Sequence, residues 1–134
     1  MDSVPINREA WSTASRRSLG NYDAHATEYE GISYRCRGCH QSFVWSATEQ
    51  RDAHEVQKKH VSWHPSRCYS CRSKLAVLRE QDQVMQARWD QDRESAAQDP
   101  EFVREWLDVL IAMLDVGHGN TMISHLERLL NDRG

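Results

Sequence analysis

Two short cysteine pairs constrain this chain more than any other feature: Cys36 with Cys39, then Cys68 with Cys71 after 28 intervening residues. A Cys-x-x-Cys turn points two sulfurs at one centre, and two such turns complete a tetrahedron of thiolates, the shell that zinc prefers. Four protein ligands leave no open coordination position, so a site of this kind is structural and not catalytic. It would close a long loop and compensate for a small core. Three other readings stay open: buried thiols, a redox pair, or an iron–sulfur cluster, which a four-thiolate shell also suits. A redox pair usually opens a helix after a strand in a βαβ context, and that context is absent from the pattern.

Composition sets the scale of the core. The 134 residues are 39% apolar and 28% charged, below the apolar share of an average domain. No run of 18 apolar residues exists, which excludes a transmembrane helix. The opening MDSVPINREA has neither a basic nor an apolar signal region. A cytoplasmic location is therefore expected, where reducing conditions favour thiolate ligands over disulfides. The glycine-rich and His-Glu-x-x-His motifs of nucleotide binders, hydrolases and metalloproteases are missing, so an enzyme is not expected, nor a small-molecule substrate or a membrane partner.

Charge divides the chain. Residues 1–31 carry three basic and five acidic side chains, residues 32–79 nine and three, and residues 80–134 five and twelve. The basic middle is a clue to partners and not to fold. The first segment has few large apolar residues and no period, and is expected to be a flexible or disordered leader, with Trp11 and Leu19 as possible anchors on a partner. Strand formers Ile32, Tyr34, Phe43, Val44 and Trp45 flank the first cysteine pair, which suggests a hairpin with a knuckle at its tip. Ser46 and Glu49 form a capping box for a helix that runs on to Lys58, Lys59 and His60 in its last turn. Pro65 stops further helix before Cys68. Residues 73–98 are helical by composition, with Leu75, Leu78, Met85 and Trp89 on one stripe and a solvated helix end or linker beyond Trp89, so that 80–98 is expected as a helix or linker. Asp99-Pro100-Glu101 starts a helix, and Gly117-His118-Gly119-Asn120 separates it from another, giving a C-terminal αα-hairpin over 99–134. The fold class is mainly α with a small β zinc ribbon: a short four-cysteine hairpin unit over 32–79 with an inserted helix, then a helix and the αα-hairpin.

Residues 34–72 also carry Tyr34 before the first cysteine pair, Phe43-Val44 and Glu49-Gln50 after it, and Pro65-Ser66-Arg67-Cys68-Tyr69-Ser70-Cys71-Arg72 at the close. In these features the segment resembles the probable zinc-ribbon domain family of small bacterial proteins. The resemblance implies one zinc ion on Cys36, Cys39, Cys68 and Cys71. His40 stands where such knuckles usually carry Gly, and Asp52-Ala53-His54 replaces an aromatic stretch.

Two binding roles follow from the residues. Arg35, Arg37, Lys58, Lys59, Arg67, Arg72 and Lys74 lie near the cysteines in sequence, with Tyr34, Trp45, Trp63 and Tyr69 as stacking faces, so nucleic acid is one candidate partner. Four thiolates and one zinc sum to -2, which lowers the segment's +6 to about +4. The other candidate is a protein, or a second copy, on the wide helix face of Trp106, Leu107, Leu110, Leu126 and Leu130; the alternative is that this face makes the chain's own core. His40, His54, His60 and His64 offer a second metal site or are surface histidines near a helix end.

Overall fold

The computed structural model describes residues 3–132. The chain folds as two units, one reaching up to Cys36 and including Gln41–Cys68, the other made of Arg37–His40 and everything from Tyr69 onward.

The first unit begins with β1 (Ser3–Pro5), a single 3-10 turn and the one-turn helix α1 (Thr13–Arg16), whose Ser15 N–H is capped by Ser12 Oγ. Strand β2 (Glu28–Glu30) pairs antiparallel with β1, placing Val4 opposite Tyr29. Pro5 donates no N–H and sits in this edge strand, where none is required. The hairpin expected around the first cysteine pair is present as β3 (Ile32–Arg35) and β4 (Ser42–Trp45), with Tyr34 opposite Phe43. Helix α2 (Ala47–Arg51) starts on the expected capping box: Ser46 Oγ accepts from the Glu49 N–H, and Glu49 Oε1 from the Ser46 N–H.

Two expectations fail in this unit. The leader over residues 1–31, of which the first two lie outside the described residues, is folded. Trp11, Tyr22 and Tyr29 are buried together with Ala47 and Val61, and Trp11 and Tyr29 are at most 1% exposed. A few aromatic side chains bury as much area as a longer aliphatic stripe, so the missing period did not mean a missing core. The helix expected to run to His60 ends at Gln57, after α2 widens into one π-helical turn over Asp52–Val56. Lys58 then takes a positive φ of 60°, which turns the chain out of the helix.

The second unit is helical: α3 (Tyr69–Gln91), α4 (Arg93–Ala97), α5 (Pro100–Asp115) and α6 (Met122–Asn131). In the segment expected as a solvated helix end or linker beyond Trp89, the helix breaks at Asp92, whose side chain caps α4 by accepting from the Ser95 N–H. Asp99 caps α5 as expected, with Pro100 at the first helical position; its carboxylate also pairs with Arg88 at 2.9 Å, and these bonds lower its pKa. The face of Trp106, Leu110 and Leu126, expected as a partner surface, is fully buried in the unit's own core. Trp106 packs against Trp89 and Phe102 and donates from Nε1 to Asp82. Leu107 and Leu130 remain half-buried, and the large aliphatic residues left exposed on α3 and α5 include Val77, Val84, Ile111 and Leu114. The last two residues of the hairpin segment 99–134 lie outside the described residues.

Candidate metal centre

The sulfurs of Cys36, Cys39, Cys68 and Cys71 all lie within 4.8 Å of one another. Cys36 follows β3, and its N–H donates to the Gln41 carbonyl at 2.8 Å, closing the turn that carries Cys39. Cys68 precedes α3 and Cys71 sits in its first turn, so the second pair belongs to a helix start. The Cys68 N–H donates to Cys36 Sγ at 3.2 Å, a bond that favours a thiolate. Cys36 and Cys71 are buried, Cys68 is half-buried and Cys39 is exposed.

These residues fit a metal. A zinc–sulfur bond of about 2.3 Å places tetrahedral sulfurs roughly 3.8 Å apart, a spacing inside the 4.8 Å limit of the observed cluster. The four cysteines could therefore hold one metal ion.

Gly38 allows the knuckle to form, though not through a left-handed turn. A Cβ there would stand 2.9 Å from the Val116 carbonyl oxygen and 3.0 Å from Cys71 Sγ. The left-handed residue is His40, with φ of 64°. Among the described residues, no histidine joins the cysteine cluster. His54 Nδ1 meets the Lys59 carbonyl at 3.0 Å, His60 Nδ1 meets Ser62 Oγ at 2.6 Å, and His64 stacks on Tyr34. His54 is a core residue, surrounded by the rings of Tyr22, Tyr29 and Trp45, and burial lowers its pKa.

The seven expected cations are divided between the units. Arg35, Lys58, Lys59 and Arg67 belong to the first, and Arg37, Arg72 and Lys74 to the second. Lys74 lines a groove of about 670 Å³ with Cys39, Cys71, Val77, Leu78 and Asp115. Lys58 Nζ bonds the carbonyl of Ala10, and Lys59 Nζ lies 3.7 Å over the Trp63 ring. Of the four expected stacking faces, Trp45 is buried, Trp63 carries Lys59, Tyr34 is covered by His64, and Tyr69 is 76% exposed. Sequence reasoning missed Arg8 and Arg16, which also bond backbone carbonyls in the N-terminal segment. The adjacent Arg16-Arg17 pair was the available signal.

No curated protein and no solved structure is detectably similar to the chain. Residues 31–78, just over a third of the chain, match the family described as "Probable treble clef domain", and the match encloses all four cysteines and the hairpin and helix start that carry them.

Proposed function

We propose that this chain is a non-catalytic, zinc-stabilised binding protein that contacts nucleic acid through its basic residues. Cys36, Cys39, Cys68 and Cys71 would hold one structural Zn2+, whose charge offsets the thiolates and fixes the loop between the pairs. A complete shell of protein sulfurs supports a structural metal over a catalytic one. A reducing cytoplasm suits such a site.

The observation that carries the nucleic-acid reading is how the cations are held. Lys58 rests on a carbonyl and Lys59 on an aromatic face, so neither spends its charge on a carboxylate. Phosphate is the partner that such residues take up with release of counterions. With three of four aromatic faces occupied, binding would rest on phosphate contacts more than on base stacking.

The test is a titration of the zinc-loaded protein with mixed-sequence single-stranded and duplex nucleic acid at two salt concentrations. Micromolar binding that weakens with salt is expected. No binding at low salt would assign the cations to internal charge balance. A second reading, docking of a protein on the helical unit, is favoured by the exposed Val77, Val84, Ile111 and Leu114. In that case the zinc would be purely structural.

A further inference from the structure

We infer that Arg16, Arg17, Lys58 and Lys59 form one surface that takes the phosphate backbone of a nucleic acid. This rests on the nucleic-acid reading above. It moves the main contacts away from the cysteine knuckle and onto the N-terminal segment and the turn after α2.

Three consecutive carbonyls carry the argument. Arg16 donates from Nη2 to the Glu9 oxygen at 2.8 Å and from Nε to the Trp11 oxygen at 3.3 Å. The ammonium of Lys58 takes the carbonyl between them, that of Ala10. Two full positive charges thus converge on one stretch of neutral backbone. Arg17 follows Arg16 at the end of α1, and Lys59 follows Lys58 with its ammonium on the Trp63 ring.

The apposition is built into the fold. Ser15 Oγ accepts from the Val61 N–H at 3.1 Å, and the Asn21 N–H donates to the Val61 oxygen at 3.0 Å. Gly20, with φ of 55°, lets the backbone of Val61 approach to where a Cβ would stand at 2.4 Å. Residues forty or more positions apart are thus held together, which brings Arg16 and Lys58 onto adjacent carbonyls.

The charges are not cancelled locally. Among the described residues, none of the four forms an ion pair with a carboxylate. Glu55 accepts from the Asn7 N–H, and Asp52 accepts from Gln57 Nε2. The Glu9 carboxylate is the one acid beside the three carbonyls in sequence. Positive charge that carbonyls and a ring face hold at Arg16, Lys58 and Lys59, with no direct carboxylate partner among the described residues, is complementary to a phosphate chain.

The test uses the full zinc-loaded chain with a labelled mixed-sequence 20-nucleotide strand and duplex, titrated at several salt concentrations. R17Q/K59Q removes two charges and leaves the carbonyl bonds of Arg16 and Lys58 intact. R16K/K58R keeps both charges. Metal content and circular dichroism equal to wild type certify each variant. R17Q/K59Q is expected to flatten the log–log salt slope by up to about two units on duplex. R16K/K58R is expected to keep the wild-type slope. If R17Q/K59Q leaves the slope unchanged while R35Q/R37Q flattens it, this surface is wrong and the nucleic-acid reading stands. If the wild type binds neither strand nor duplex, both fall. Tighter binding to vesicles of anionic phospholipid than to nucleic acid would also overturn the assignment.

Discussion

The indole Nε1 of Trp11 donates a 2.8 Å hydrogen bond to the hydroxyl oxygen of Tyr29, and both side chains are closed off from solvent. The Glu55 carboxylate interacts electrostatically with the Tyr29 hydroxyl and accepts from the Asn7 N–H at 3.2 Å. One polar chain therefore links the N-terminal segment, β2 and the π-helical turn. Tyr29→Phe keeps the ring and removes the acceptor. A buried donor left unmade costs about 1–3 kcal/mol. Urea unfolding of the variant is expected to show that loss, with Trp11→Ala costing more, about 3–5 kcal/mol. An unchanged midpoint for Tyr29→Phe would mean that water replaces the hydroxyl.

Gln50 has a comparable role one turn into α2. Its Nε2 donates to the carbonyls of Glu30 and Trp45, and its Oε1 accepts from the Tyr22 hydroxyl at 3.0 Å. It is fully buried. Gln50→Ala is expected to destabilise by about 2–4 kcal/mol, because at least two buried polar groups lose partners. Tyr22→Phe combined with Gln50→Ala should cost less than the two single changes added together, a non-additivity that a double-mutant cycle reads directly.

The parts of this fold that were legible in the sequence are the local ones. Ser46 with Glu49 and Asp99 with Pro100 announce helix starts because cap and partner lie three residues apart. The two cysteine pairs announce a metal shell because two ligands fit within each turn. What stayed hidden depends on distant pairs. Trp11 finds Tyr29, Tyr22 finds Gln50, and Lys58 finds Ala10, across 18 to 48 residues. No period encodes such contacts. Trp106 and Leu110 read equally well as a docking face or a core, and only their packing on α3 and α6 decides for the core.

His54 predicts a pH dependence. It is fully buried, Nδ1 faces the Lys59 carbonyl, and Nε2 has no partner among the described residues. Desolvation lowers its pKa below the ordinary 6.5. The unfolded chain therefore binds this proton more readily than the folded one. Stability from the neutral ring is complete above about pH 6.5 and falls as pH drops toward the lowered folded value. His54→Phe loses the bond to Lys59 and should be about 1 kcal/mol less stable at pH 7.5. Its midpoint should fall less steeply between pH 6.5 and 5 than that of the wild type. Parallel curves for the two proteins would mean that His54 does not titrate on unfolding.

Removing one ligand tests the metal shell. Cys68→Ser is expected to lose the bound ion, measured as metal per chain after gel filtration. Folding and binding are coupled at such sites, so the hairpin and the start of α3 should lose protection from hydrogen exchange with it. Stoichiometric metal in the purified variant would show that Cys68 is not a ligand.

The knuckle offers a finer test, because two neighbouring positions reverse what their residue types suggest. Gly38 is required by contact and not by dihedral angle: an added methyl would meet the Val116 carbonyl and Cys71 Sγ. Gly38→Ala must displace backbone or a ligand sulfur, at a cost typical of overpacking, about 1–3 kcal/mol. Metal affinity, read by competition with a chromophoric chelator, should fall roughly five- to 150-fold. His40 holds the left-handed conformation that glycine takes at no steric cost. His40→Gly relieves about 1 kcal/mol of local strain and gives back a similar amount in chain entropy, so affinity should stay within about threefold. His40→Val, with a branched Cβ at the same φ, should weaken binding more than either His or Gly. If Gly38→Ala binds metal as tightly as wild type while His40→Gly does not, the close approach of Val116 to the knuckle is not what holds the cysteines in register.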